Sequence, residues 1–119
     1  MKKLLLTTIL TVTTLAAHAE EIALECNYTT PNGKNFVNRI LIDPANSSAS
    51  VSENGRSYAA TLYADQDSYW FTAGEVLSAM DLRAKHTISR KDLSYTASML
   101  LNGRTMTGQC ARVEVKNKI

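Results

Sequence analysis

The strongest constraint on the fold is a period of two in the apolar residues. Ile22, Leu24, Cys26 and Tyr28 alternate with Glu21, Ala23, Glu25 and Asn27; Met80, Leu82, Ala84, His86 and Ile88 alternate with Asp81, Arg83, Lys85, Thr87 and Ser89; Leu93, Tyr95, Ala97, Met99 and Leu101 alternate mostly with Ser94, Thr96 and Ser98. Successive side chains of an extended chain project to opposite faces, so each run reads as a strand with one face to bury. Asn-Gly pairs at Asn32-Gly33, Asn54-Gly55 and Asn102-Gly103 separate segments rich in β-formers. Each supplies the two positive-φ positions of a type I′ hairpin turn. Further breaks fall at Asp43-Pro44-Ala45-Asn46, Asp65-Gln66-Asp67, Ala73-Gly74-Glu75 and Lys91-Asp92. No long stretch carries a helical period, although Gly74 to Arg83 has room for one helical turn.

This spacing predicts an all-β fold, a small antiparallel barrel or meander of seven to eight strands. Tyr58, Ala60 and Leu62 read inward. The register of Phe36 to Ile42 stays open because Asn38 interrupts its apolar face, and so does the orientation of Tyr69, Trp70 and Phe71. Small inward residues such as Ala60, Ala84, Ala97 and Gly108 either fit the taper of a filled barrel or leave a narrow cavity.

Residues 1–19 read as a cleaved signal peptide, with Lys2 and Lys3 before an apolar run and Ala17-His18-Ala19 ahead of the cut. Residues 20–119 then form a single β-barrel domain. The leader points to the periplasm, with secretion as second choice. Cys26 and Cys110 are the only cysteines and fall on the inner faces of the first and last strands, so in an exported chain they pair. The chain carries 13 Lys+Arg and 11 Asp+Glu. Two of the positives lie in the leader, and the balanced remainder argues against nucleic acid or an anionic membrane as a partner recruited by charge.

Catalytic chemistry is sparse. His86, the one histidine after the leader, faces the apolar side of its strand, where a general base or ligand competes with a hydrogen-bonded core histidine. Ser89 stands on the opposite face of that strand, which prevents a Ser-His-Asp constellation there. A second histidine for zinc is missing, and Asp65-Gln66-Asp67 reads as a solvated turn. No catalytic residue, metal site or cofactor is assigned. Tyr63, Tyr69, Trp70 and Phe71 form the aromatic concentration, with Trp70 the candidate exposed anchor.

The segment Asn54-Gly55-Arg56-Ser57-Tyr58, followed by Tyr69-Trp70-Phe71 and Gly74, together with a cysteine in the first and the last strand, resembles small periplasmic β-barrel inhibitors of C-type lysozyme. Those proteins carry a Ser-Gly-x-x-Tyr loop that enters the lysozyme cleft. Gly55 and Tyr58 match it, Asn54 stands where that loop has Ser, and the family's second contact motif has no counterpart. The resemblance implies a noncatalytic binding protein whose partner is a protein or envelope component, a lysozyme-type hydrolase among them. Gly55, Arg56, Tyr58 and Trp70 are its candidate contacts. The alternatives are a small-ligand carrier with an interior cavity on the order of 300 Å³ or more, and an envelope protein of other role.

Overall fold

The computed structural model describes residues 21–53 and 55–114. The leader and Asn54 lie outside the described residues. Eleven strands form: β1 (Ile22–Thr29), β2 (Asn35–Asp43), β3 (Ser48–Glu53), β4 (Arg56–Thr61), β5 (Tyr63–Ala64), β6 (Ser68–Ala73), β7 (Val76–Leu77), β8 (Met80–Asp81), β9 (Ala84–Ser89), β10 (Ser94–Met99) and β11 (Thr105–Val113). Nine make one antiparallel sheet in the order β4-β3-β2-β1-β11-β10-β9-β6-β5. Because β4 and β5 are two lengths of one strand interrupted at Leu62, the sheet curls into a nearly closed barrel of eight staves. Each stave neighbours the next in sequence, and β1 pairs with β11 to complete the circuit. Along the remaining seam β4 lies beside β6 without a ladder, and only Tyr63 and Ala64 of β5 pair across it, with Trp70 and Tyr69.

The alternation expected of the strands is the alternation found. Leu24, Cys26, Ile40, Ile42, Val51, Leu62, Phe71, Ile88 and Tyr95 are all buried, and by strand position most fill the half of the barrel opposite the β1–β2 and β10–β11 loops. The open questions of register close as well. Asn38 shares the inner face with Ile40 and Ile42, and Phe71 points in while Trp70 points out.

The disulfide joins directly opposed residues of β1 and β11, with Cα atoms 3.9 Å apart across a sequence separation of 84. The same two strands are pressed together at Gly108, where an added Cβ would overlap the carbonyl oxygen of Asn27 and stand 2.8 Å from the Cα of Tyr28. Gly108 also sits in the cross-strand row between Tyr28 and Tyr95, and its missing side chain lets those two rings meet inside, 6.0 Å apart. Gly108→Ala is therefore expected to cost about 1–3 kcal/mol through forced backbone displacement, read as a lower urea midpoint at unchanged slope.

Three local expectations are corrected. The run from Met80 to Ser89 is not one strand, and Gly74 to Arg83 holds no helical turn: Val76–Leu77 and Met80–Asp81 form a separate hairpin. Its base is tight, because a Cβ on Gly74 (φ +134) would lie 2.9 Å from Arg83 Cα and Leu82 O. Leu82 N–H donates to Glu75 O at 2.8 Å, and Asp81 takes a bidentate grip on Arg83 at 2.9 and 2.7 Å. The Asn-Gly turns also differ from type I′ wherever both residues are described. Gly33 and Gly103 have positive φ, but Asn32 and Asn102 do not. Thr30 and Lys34 bracket a three-residue loop, and Met99 and Arg104 a four-residue loop, and loops of those lengths need only one left-handed residue.

Candidate functional site

Strand directions bring four segments to one end of the barrel: the β1–β2 loop, the β3–β4 turn at Gly55, the β7–β8 hairpin and the β10–β11 loop. This end carries an apolar rim. Phe36 and Val37 at the start of β2, Val76, Leu77 and Met80 in the hairpin, and Leu100 and Leu101 in the β10–β11 loop are exposed. They make seven of the nine exposed large hydrophobic residues among those described; Tyr63 and Val113 are the other two. Leu100 N–H donates to Arg83 O at 3.1 Å, fastening the β10–β11 loop to the hairpin base. Between the β1–β2 and β10–β11 loops runs an open groove of about 710 Å³, bordered by Lys34, Phe36, Met99, Arg104 and Met106.

The residues singled out in the sequence divide between two places. Gly55, with φ +79, is the exposed tip of the β3–β4 turn. Arg56, exposed beside it, reaches across the β4–β6 seam to Glu75 at 3.2 Å, and the Tyr58 hydroxyl donates to the same carboxylate oxygen at 3.4 Å. Tyr58 and Glu75 together raise the guanidinium pKa of Arg56. Trp70 belongs to another neighbourhood. It lies on the outer wall, stacked on Tyr63 with centroids 6.0 Å apart, and the Lys85 ammonium stands 5.9 Å from its ring. Trp70 thus does not join Gly55, Arg56 and Tyr58 in one surface. Sequence reasoning missed Glu75, whose carboxylate organises the β4 residues from a distant segment.

Beneath the rim lies a polar interior. Asn38 Nδ2 donates to the Tyr95 hydroxyl at 3.0 Å, and that hydroxyl lies 2.6 Å from His86 Nδ1. The Tyr95 hydroxyl thereby links Asn38 to His86 in one buried chain. His86 is stacked between Phe71 and Tyr95, and burial pushes its pKa down to about 4. It is a neutral core histidine at neutral pH. Burial raises the Tyr95 hydroxyl well above its ordinary range; burial and then the Glu53 charge also raise Tyr28. Glu53 is itself raised by burial. Beside this network lies a cavity of about 100 Å³, whose wall includes Tyr28, Asn38, Glu53, Tyr58, His86 and the small residues Ala84 and Ala97 but not Tyr95. Asn38 Oδ1 is buried without a hydrogen-bond partner among the described residues.

At the far end Asp65 Oδ1 accepts from the backbone N–H groups of Asp67 and Ser68, each at 2.8 Å, forming a turn. No helix among the described residues is long and apolar enough to cross a membrane. No protein-family model matches the chain, and neither a curated protein nor a solved structure does.

Proposed function

We propose that the protein is a noncatalytic binding protein of the bacterial envelope, which presents the loop end of its barrel to a protein partner. The observation that carries this reading is the crowding of exposed apolar side chains at that one end, next to the exposed cations Lys34, Arg56 and Arg104. A patch of exposed apolar side chains marks an interaction surface, and the phenylalanine, methionine and arginines at this end are residue types enriched at protein interfaces, while isolated exposed apolar residues on other faces need no explanation. The Gly55–Tyr58 turn belongs to this end, and its likeness to the inhibitor loop makes a lysozyme-type hydrolase the partner to test first. Such clefts hold a pair of carboxylates, to which a cation at a hairpin tip is complementary. The disulfide is compatible with the oxidising periplasm.

The carrier alternative places its ligand inside the barrel. An interior cavity of about 100 Å³ is a third of the volume that reading called for, so the rim is favoured.

The test is inhibition of a C-type lysozyme acting on a bacterial cell-wall suspension. Stoichiometric inhibition is expected, weakened about 30-fold or more by Arg56→Ala or by Leu77→Asp with Leu101→Asp, as for removal of an interface anchor. All these positions are exposed, so folding survives. Inhibition indifferent to every rim substitution would remove the rim from the account. No inhibition, with a small molecule retained through purification, would move the assignment to the carrier.

A further inference from the structure

The groove between the β1–β2 and β10–β11 loops carries charge of one sign. Lys34 stands on one bank and Arg104 on the other, both exposed. Neither makes a salt bridge among the described residues, where Arg39, Arg56, Arg83 and Lys91 all do. No Asp or Glu borders the groove. Its two side-chain amides are turned the same way: Asn32 Oδ1 accepts from the Thr30 hydroxyl, and Asn102 Oδ1 accepts from the Arg104 backbone N–H at 2.9 Å, so each keeps its Nδ2 donors for a ligand. The two cations also share a face. By strand alternation Lys34 and Phe36 take the side of buried Asn38, and Arg104 and Met106 the side of buried Cys110. Asn35 opposes Thr29, and Thr29 opposes Thr107. Lys34 lies one residue beyond that row and Arg104 three, on the strands either side of β1, which sets their backbones about 12 Å apart.

We propose that this groove takes an extended acidic segment of the protein partner, with carboxylates at positions i and i+4 and an apolar side chain at i+2. The inference rests on the reading of the loop end as the face that meets a protein, and it names what the groove receives. A cleft lined by one sign of charge concentrates the opposite sign. In an extended chain residues i, i+2 and i+4 share a face, and the outer two stand about 13 Å apart, a match to the two banks. The floor under the middle residue is apolar: Phe36, stacked on Tyr28 with centroids 5.6 Å apart, together with Met99 and Met106. Both methionines border the interior cavity of about 100 Å³ as well, so their flexible side chains have room to yield to an inserted one. The groove volume of about 710 Å³ lies within the range of clefts that hold ligands. An anionic bilayer fits less well, since recruitment to one takes clusters of about four or more cations, and only Lys34 and Arg104 border the groove.

The experiment is a two-dimensional amide NMR titration of the disulfide-bonded protein, at low ionic strength, with the blocked peptide acetyl-Glu-Ser-Leu-Ser-Glu-amide. Saturable shifts are expected at Lys34, Phe36, Arg104 and Met106, weakened by added salt and lost when glutamine replaces both glutamates of the peptide. Lys34→Ala and Arg104→Ala, both at exposed positions, are each expected to weaken binding about fivefold, and together about 25-fold. Equal binding of the glutamine peptide, or no saturable shift with the acidic one, would overturn the proposal, as would saturation of the same amides by phosphatidylglycerol vesicles in place of the peptide. Lysozyme inhibition is a separate readout. Peptide binding by a protein that inhibits no lysozyme keeps the groove and removes the hydrolase as partner, whereas inhibition without peptide binding removes the groove and keeps the rim.

Discussion

Loss of the disulfide, by reduction or in the Cys26→Ala/Cys110→Ala variant, is expected to lower stability by about 4–5 kcal/mol, the loop-closure entropy of a link across 84 residues in the chain-entropy model. That is a large share of the net stability of a domain this size. The sulfurs join residues that already oppose each other in a seven-pair ladder, so the folded barrel should keep its strand pairing without them, and most of the effect should fall on the unfolded chain. Urea unfolding with and without reductant measures it. The midpoint is expected to fall and the slope to steepen, because an unlinked denatured chain exposes more surface. Both cysteines are buried, so the alanine variant also leaves a void and should fall below the reduced protein. A reduced protein with an unchanged midpoint would contradict the account.

Acid is expected to destabilise the fold through His86. In the unfolded chain its pKa is 6.5, and in the barrel burial brings it to about 4. Between those values the unfolded chain takes up a proton that the folded one refuses. The stability contribution is therefore whole above pH about 6.5 and falls away as the pH drops toward 4, by about 3 kcal/mol in all. Glu53 acts in the opposite sense: its raised pKa lets the folded state take a proton first, offsetting part of the loss. Asp81, held down to about 2 by hydrogen bonds from Arg83, contributes only at more acidic pH, and Tyr28 and Tyr95 only at alkaline pH. Urea midpoints across this window should slope downward toward acid in the native sequence, more steeply in Glu53→Gln, and much less in His86→Gln, which keeps a partner for the Tyr95 hydroxyl and does not titrate. A slope that persists undiminished in His86→Gln would assign the effect elsewhere.

The strands, their buried faces and the cysteine pairing were legible because each is written locally. Alternation needs only a few neighbouring residues, and both cysteines fell on inner faces by that rule alone. The break at Leu82 and Arg83 was not legible, since Met80 and Leu82 continue the pattern of Ala84, His86 and Ile88 while the chain has already left the barrel wall for a hairpin of its own. Alternation reports which face a residue takes, not which strand it bonds. Asn38 looked like an interruption because its reason, the Tyr95 hydroxyl, lies 57 residues away. The rim was invisible for the same cause. Val76, Leu77, Leu100 and Leu101 look like scattered apolar residues until the topology brings their loops to one end. Trp70 was grouped with the Gly55 turn by its chemistry, and only the fold separates them.

The barrel's circuit also fixes where the backbone enters and leaves. Ile22 and Val113 begin and end adjacent strands, with Ala23 directly opposite Val113, at the end remote from the loop rim. A short peptide spliced between these positions, with the chain reopened in the Asp65–Asp67 turn, would give a circularly permuted protein that retains every ladder. A surface linker placed beyond Val113 would leave the opposite mouth facing bulk solution, an orientation suited to immobilised binding measurements.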